Sequence, residues 1–248
     1  MEKICYLILM SSGLDSTATL LNLINKKELK DDLIFPTYIW WRNIFTDVLK
    51  KEIENCQKIL DYIKKKYEGK KLRIKNLKKI EVPLIFYEQI REIFKELDRP
   101  DYFCYVRNGI FIFSSLSYLL NYLKIQGITD YQKIVIVAGF IGYEADENKP
   151  FTEDIKVLVN RYIQDSTKKG IIDNIDFYTP YLSDEDTRTR SKQYNDIKDF
   201  GDWEILKYTW SCWRNYEKPC NQCSGCISRR DKFLGIDIKD PKYKDPMI

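Results

Sequence analysis

Cys5-Tyr6-Leu7-Ile8-Leu9-Met10, followed by Ser11-Ser12-Gly13-Leu14-Asp15-Ser16-Thr17, is the stretch that decides the fold. Its first six residues form a short apolar run bounded by the polar turn Ser11-Ser12-Gly13, the pattern of a fully buried strand. From Leu14 to Ile24 the apolar positions Leu14, Ala18, Leu20, Leu21, Leu23 and Ile24 recur at helix-compatible spacing. Strand, tight turn and helix in that order set successive backbone N–H groups and several hydroxyls at the positive end of a helix dipole, where an anion binds favourably. The turn lacks the Gly-Lys-Ser/Thr ending of the common phosphate-binding ATPases. Its composition equally suits an ordinary N-cap, because Ser and Asp begin helices for local reasons alone.

The same alternation continues outward. Leu33 to Trp41 predicts a second strand, Phe45 to Tyr67 a long amphipathic helix, Lys79 to Leu84 a third strand and Tyr87 to Leu97 a helix. The very apolar segment Gly109 to Leu123 predicts a helix packed hard on the sheet, and Lys133 to Ala138 a buried strand ending at Gly139. Phe151 to Gln164 reads as helix, Asp176 to Tyr181 as a last short strand and Arg188 to Phe200 as a helix. Strands alternating with helices predict one α/β domain over residues 1–248, Rossmann-like, with a doubly wound and mainly parallel sheet. Ligands of such sheets bind at the carboxyl ends of the strands, near the switch in strand order.

Bulk composition narrows the function. The 248 residues are 44% hydrophobic, enough for a sizeable core, and carry 41 Lys and Arg against 37 Asp and Glu. A net charge of +4 is a small excess, so a nucleic-acid-wrapping surface is not expected. No apolar run approaches the roughly 20 residues needed to span a bilayer, and the start reads as no signal peptide, so a cytoplasmic protein is expected. Histidine is absent, which removes the commonest general base and any His-containing zinc site.

Seven cysteines in a reducing compartment point to metal or reactive thiols before disulfides. Cys212, Cys220, Cys223 and Cys226 can converge on a tetrahedral Zn²⁺ within a C-terminal segment spanning 205–235. Pro219 and Gly225 are expected to supply turns. Cys-x2-Cys-x2-Cys also occurs in iron–sulfur proteins, which leaves a cluster as the chemical competitor. Four protein ligands leave no open coordination site, so a metal here would be structural.

Ser11, Gly13, Asp15 and Ser16 resemble the Ser-Gly-Gly-x-Asp-Ser signature of the PP-loop ATP pyrophosphatases, which cut ATP between its α and β phosphates. Ser12 stands where that pattern has its first glycine. Trp210 to Cys212 and Pro219 to Cys226 are similar to the Trp-Ser-Cys-Tyr segment and Cys knuckle of one branch, the 7-cyano-7-deazaguanine synthases. Tyr105-Val106-Arg107-Asn108 resembles that family's Val-Pro-Ala/Gly-Arg-Asn segment before a helix, Gly139 to Asp146 its Gly-x-Asn-x-Glu-Asp stretch, and Thr179-Pro180 its Thr-Pro-Leu strand end.

The resemblance implies an adenine nucleotide alpha hydrolase-like fold and a ligase using ATP and Mg²⁺, with Zn²⁺ on the four cysteines. Its substrate would be 7-carboxy-7-deazaguanine, adenylated and then captured by ammonia to give the amide and the nitrile. Ser11, Ser12, Gly13, Leu14, Asp15, Ser16, Thr17 and Gly139 would hold ATP. Asp15, Ser16, Arg107 and Lys192 would act in catalysis, while Arg107, Asn108, Glu144 and Thr179 would bind substrate. A homodimer is also implied.

Three departures remodel the region where the second reactant approaches. The family's Asp-Tyr-Gly-Gln-x-His stretch is replaced by Tyr38-Ile39-Trp40-Trp41-Arg42-Asn43, Ser12 replaces glycine, and Asp184 to Arg190 reads as an insertion. The aromatics could line a base pocket or belong to the core. The departures leave open a relative of the antiphage type, in which a protein amine captures the adenylate. A non-catalytic nucleotide- or RNA-binding module is the reading of a different class, permitted by the 14% aromatic content.

Overall fold

The computed structural model describes residues 3–29, 31–41, 46–70, 72–83, 102–139, 153–154, 157, 161, 174–181 and 189–233. β1 (Ile4–Leu9) leads through the Ser11 turn into α1 (Leu14–Lys26), and β2 (Leu33–Trp41) precedes α2 (Thr46–Lys66). β3 (Arg73–Ile74) and β4 (Lys78–Val82) come next, then α3 (Tyr102–Ile125), β5 (Lys133–Val137) and β6 (Asn174–Tyr178). α4 (Thr189–Asp199), a 3₁₀ turn over Trp203–Tyr208 and α5 (Ser224–Phe233) complete the described chain.

Every pairing in the sheet is parallel, in the order β3-β2-β1-β5-β6, with β4 on the same edge of β2 as β3. The strand order reverses at β1, which lies between β2 and β5. This is the doubly wound arrangement, and it opens a crevice at the carboxyl ends of β1 and β5.

Period-two alternation sends the side chains of each strand to two separate cores. Tyr6 and Ile8 of β1, with Ile34, Tyr38 and Trp40 of β2, pack against α1, α2 and α4. Cys5, Leu7, Leu33 and Phe35 point the other way, onto Ile112, Leu116, Leu119 and Leu123 of α3. Burial on both faces explains why β1 reads as a continuous apolar run. In α1, Leu20, Leu21 and Leu23 are fully enclosed, each contributing about 2–3 kcal/mol of transfer free energy.

The structure moves several boundaries. α3 begins at Tyr102, so Tyr105-Val106-Arg107-Asn108 lies inside the helix and not before it. The chain has Tyr105 where the family pattern has proline, so no missing N–H stops the helix there. β6 ends at Tyr178 and not at Tyr181, because Pro180 has no N–H to extend the ladder. β3 and α5 have no period-based signal in the sequence: the first is two residues long, and the second is polar around most of its surface. Tyr38 and Trp40 are 3% and 8% exposed, which makes them core and not the lining of a base pocket. The helix expected at Tyr87 to Leu97 and the Asp184 to Arg188 part of the insertion lie outside the described residues. Of the expected Phe151 to Gln164 helix, only 153–154, 157 and 161 are described, and they are helical.

Candidate functional site

The turn after β1 sits at the strand-order switch. Its cap residue is Gly13, in extended backbone (φ −69°, ψ 165°), and no described side chain caps α1. The serines and the aspartate therefore do not act as ordinary N-caps. The hydroxyls bind one another instead: Ser11 Oγ lies 3.2 Å from Ser16 Oγ, and Ser16 Oγ donates to the Gly13 carbonyl at 3.2 Å. Thr17 Oγ1 donates to the same carbonyl at 2.8 Å, and Thr19 Oγ1 to that of Asp15 at 2.8 Å. Ser11 is exposed and Asp15 half-buried, whereas Ser12 and Thr17 are sealed. An uncapped helix start fringed by hydroxyls attracts an anion through its dipole and unsatisfied amides.

Ser12 takes φ +52°, the left-handed conformation that glycine adopts freely. The serine thus keeps a glycine's backbone geometry. Its hydroxyl is buried with no hydrogen-bond partner among the described residues, and its carbonyl accepts from the Trp210 N–H at 2.9 Å.

Behind the turn, α2 presents Glu52 and Cys56 on one face, one helical turn apart. The Tyr38 hydroxyl donates to Glu52 Oε2 at 2.6 Å. Burial lifts the Glu52 carboxyl to about 7, although the Tyr38 hydrogen bond pulls it down. Burial also holds the Cys56 thiol well above its usual range, with the neighbouring Glu52 charge adding to it and the Ser12 N–H opposing it.

Gly139 follows β5, and its backbone is butted against the turn. A Cβ built on it would lie 2.7 Å from Asp15 C, 2.7 Å from Ser16 N and 3.0 Å from Asp15 O. Register places Thr179 level with Ala138, since Val137 pairs with Tyr178 and the Ala138 N–H donates to the Tyr178 carbonyl at 3.3 Å. Gly139 and Thr179 are thereby brought to the crevice beside Ser11 to Thr17. Asn108 is half-buried in α3, the side chain of Arg107 is outside the described region, and Glu144 lies outside it entirely.

Lys192 is exposed on α4, with no partner for its amine among the described residues. One turn further along, α4 is tied to α1 through Asp196. Asp196 Oδ2 accepts from Asn22 Nδ2 and from the Tyr181 hydroxyl, both at 2.8 Å, and Tyr178 donates to Asn22 Oδ1.

The ligand atoms of Cys212, Cys220, Cys223 and Cys226 all lie within 4.8 Å of one another. Cys223 and Cys226 Sγ are 3.4 Å apart, and Cys220 and Cys226 Sγ 3.9 Å. A tetrahedral ion with metal–sulfur bonds of about 2.3 Å spaces its sulfurs about 3.8 Å apart, so the four fit one metal ion. That enclosure has no room among the sulfurs for the several atoms of an iron–sulfur cluster. Backbone amides support the thiolates: the Cys220 N–H donates to Cys212 Sγ and the Cys223 N–H to Cys220 Sγ, each at 3.3 Å. Burial acts against ionisation of Cys220, but the Gln222 and Cys223 amides outweigh it and lower the thiol to about 6.

Gly225 is helical and does not make the expected turn. Its Cβ would fall well inside van der Waals contact of Ser211 O and 3.2 Å from Trp213 Nε1, so close approach of α5 to residues 211–213 requires glycine. The contacts of Ser12, Glu52 and Gly225 escape a reading of sequence spacing, because each joins segments far apart in the chain. The left-handed Ser12 alone left a trace, as the departure from a glycine pattern.

A family model described as queuosine biosynthesis protein QueC matches residues 5–237. A 7-cyano-7-deazaguanine synthase of Methanosarcina mazei is 25% identical over 257 residues, covering 94% of this chain and 95% of the relative. Another, of Aliarcobacter butzleri, is 30% identical over 142 residues, 56% of this chain and 54% of its own. That of Methanosarcina barkeri is 44% identical over 36 residues, 14% and 16% of the two chains.

Proposed function

The chain belongs to the QueC family, and from that premise we propose that it adenylates 7-carboxy-7-deazaguanine with ATP and hands the acyl group to a nitrogen nucleophile, giving the amide and then 7-cyano-7-deazaguanine. The observation that carries this reading is the uncapped start of α1 at the strand-order switch, with Gly139 against it. Its amides and hydroxyls suit a pyrophosphate that leaves with negative charge.

In the reaction, a carboxylate oxygen of the acid attacks the α-phosphorus of ATP, and the bond to the bridging oxygen breaks. The electron pair departs on pyrophosphate, into Ser11, Ser12, Gly13, Leu14, Asp15, Ser16 and Thr17. The nitrogen nucleophile then attacks the acyl carbon, loses a proton, and expels AMP. For the nitrile, the amide oxygen attacks the α-phosphorus of a second ATP and displaces pyrophosphate, and loss of the two N–H protons then expels AMP with that oxygen. Preorganised donors at the loop act where charge grows, and the rest of the rate comes from holding the reactants together. Arg107 and Lys192 are assigned to that charge, Asn108, Glu144 and Thr179 to the nucleobase and its acid. Asp15 offers the carboxylate for Mg²⁺, which would neutralise phosphate charge when bound. The four cysteines would hold a structural Zn²⁺.

Incubation with ATP, Mg²⁺ and 7-carboxy-7-deazaguanine is expected to release AMP and pyrophosphate only when the acid is present. Asp15→Ala should cut that release by at least about 10²-fold with the circular dichroism spectrum unchanged. Normal release by the variant would sink the loop assignment. Adding ammonium and following the nitrile by mass spectrometry tests the second half of the reaction.

A further inference from the structure

The four-cysteine site and the turn after β1 are joined by one hydrogen bond. Ser12 holds a left-handed backbone at φ +52° although it is not glycine, and its carbonyl accepts from the backbone N–H of Trp210 at 2.9 Å. In a planar trans peptide the Ser12 carbonyl and the Gly13 N–H point in opposite directions. Anchoring the carbonyl toward Trp210 therefore turns the Gly13 N–H the other way, to the side of the exposed Ser11, whose Oγ lies 3.4 Å from it.

Trp210 is in turn fixed by the cysteine segment. It is 2% exposed, and its Nε1 donates to the Cys212 carbonyl at 2.8 Å. Cys212 contributes one of the four gathered sulfurs. Between them, Ser211 is pressed against Gly225 at the start of α5, the helix that carries Cys226. An ion on the four sulfurs would hold Cys212, and through it residues 210–211, against α5.

We propose that Trp210 is a positioning residue for the phosphate turn: metal on the four cysteines holds Trp210, and Trp210 holds the Ser12 peptide in the orientation that binds the phosphates of ATP. The inference rests on the reading of that turn as the ATP site. Released from Trp210, Ser12 relaxes toward the conformations a β-carbon prefers, and the Gly13 N–H leaves the anion. The left-handed conformation disfavours a non-glycine residue by an amount equivalent to about a five- to thirtyfold shift in population. ATP affinity should fall by that factor when the metal is removed. A glycine at this position needs no such support.

The test is calorimetric titration of ATP, without the acid, into zinc-loaded and chelator-depleted protein, for the wild type and Ser12→Gly, with circular dichroism confirming the fold. Depletion is expected to weaken ATP binding about five- to thirtyfold in the wild type and less than about twofold in Ser12→Gly. Equal affinities for loaded and depleted wild type would overturn the inference while leaving the ATP reading intact, and so would an equal loss in both proteins. No binding by loaded wild type would overturn the ATP reading and the inference with it. If depletion unfolds the chain, Trp210→Phe with its metal retained replaces the depleted sample. It keeps the backbone N–H that meets Ser12 but loses the indole bond to the Cys212 carbonyl that fixes it, and unchanged ATP binding by this variant would overturn the inference. Weaker ATP binding that Ser12→Gly restores is then the supporting result, and weakening without restoration the contrary one.

Discussion

Gly139→Ala adds one methyl group where the end of β5 meets the turn after β1. The new Cβ would sit 2.7 Å from both Asp15 C and Ser16 N and 3.0 Å from Asp15 O. All three are backbone atoms, so no side chain can swing aside. Ordinary contact begins near 3.4 Å, and relief requires strand and turn to part by about 0.7 Å. Gly139 has no positive φ, so the whole effect is steric. Overpacking of this kind costs about 1–3 kcal/mol of stability, and a turn displaced by that distance loses roughly tenfold to a hundredfold in productive geometry. Urea denaturation measures the first quantity, and ATP titration with acid-dependent pyrophosphate release the second. A variant whose ATP affinity and pyrophosphate release both stay within twofold of wild type would refute the placement of Gly139 against the turn.

Glu52→Gln should change stability with a definite pH dependence. Because burial raises this carboxyl from 4.5 to about 7, the folded chain retains a proton that the unfolded chain releases. That contribution is complete below pH 4.5 and is lost as pH rises through 7, so the non-ionising glutamine should be near neutral at about pH 4.5 and stabilising at about pH 8. After a discount for the effective polarity of the protein interior, the gain is about 2 kcal/mol, read from urea midpoints at the two pH values. An effect equal at both would contradict it. Gly225→Ala drives a methyl into Ser211 O, and should lower the melting temperature by about 5–10 °C together with the bound metal per chain. Full metal content at an unchanged melting temperature would argue against the close packing of α5.

Features written in local pattern were legible. The apolar run of β1, the spacing of α1 and the gaps between Cys212, Cys220, Cys223 and Cys226 each report on residues close in sequence, and the parallel sheet followed from their alternation. The early start of α3 is not legible in the family pattern, which has a proline where this chain has Tyr105. Tyr38 and Trp40 were ambiguous for a different reason. An aromatic side chain suits a pocket as well as a core, and only β2's place between two helical layers decides between them. Ser12 with Trp210, Glu52 with Tyr38 and Gly225 with Ser211 depend on tertiary approach, for which a single sequence carries no period.

The bond between Ser12 and Trp210 also orders events in time. A ribosome releases the chain from its amino end, so Ser12 emerges while the residue that anchors it is still to be synthesised. β1 likewise waits for β5, its central partner, to be made. Until residues 210–226 have appeared and their thiols have gathered, the nascent turn lacks its tether. A chain truncated before Trp210 keeps every residue of the turn while losing the strut that shapes it.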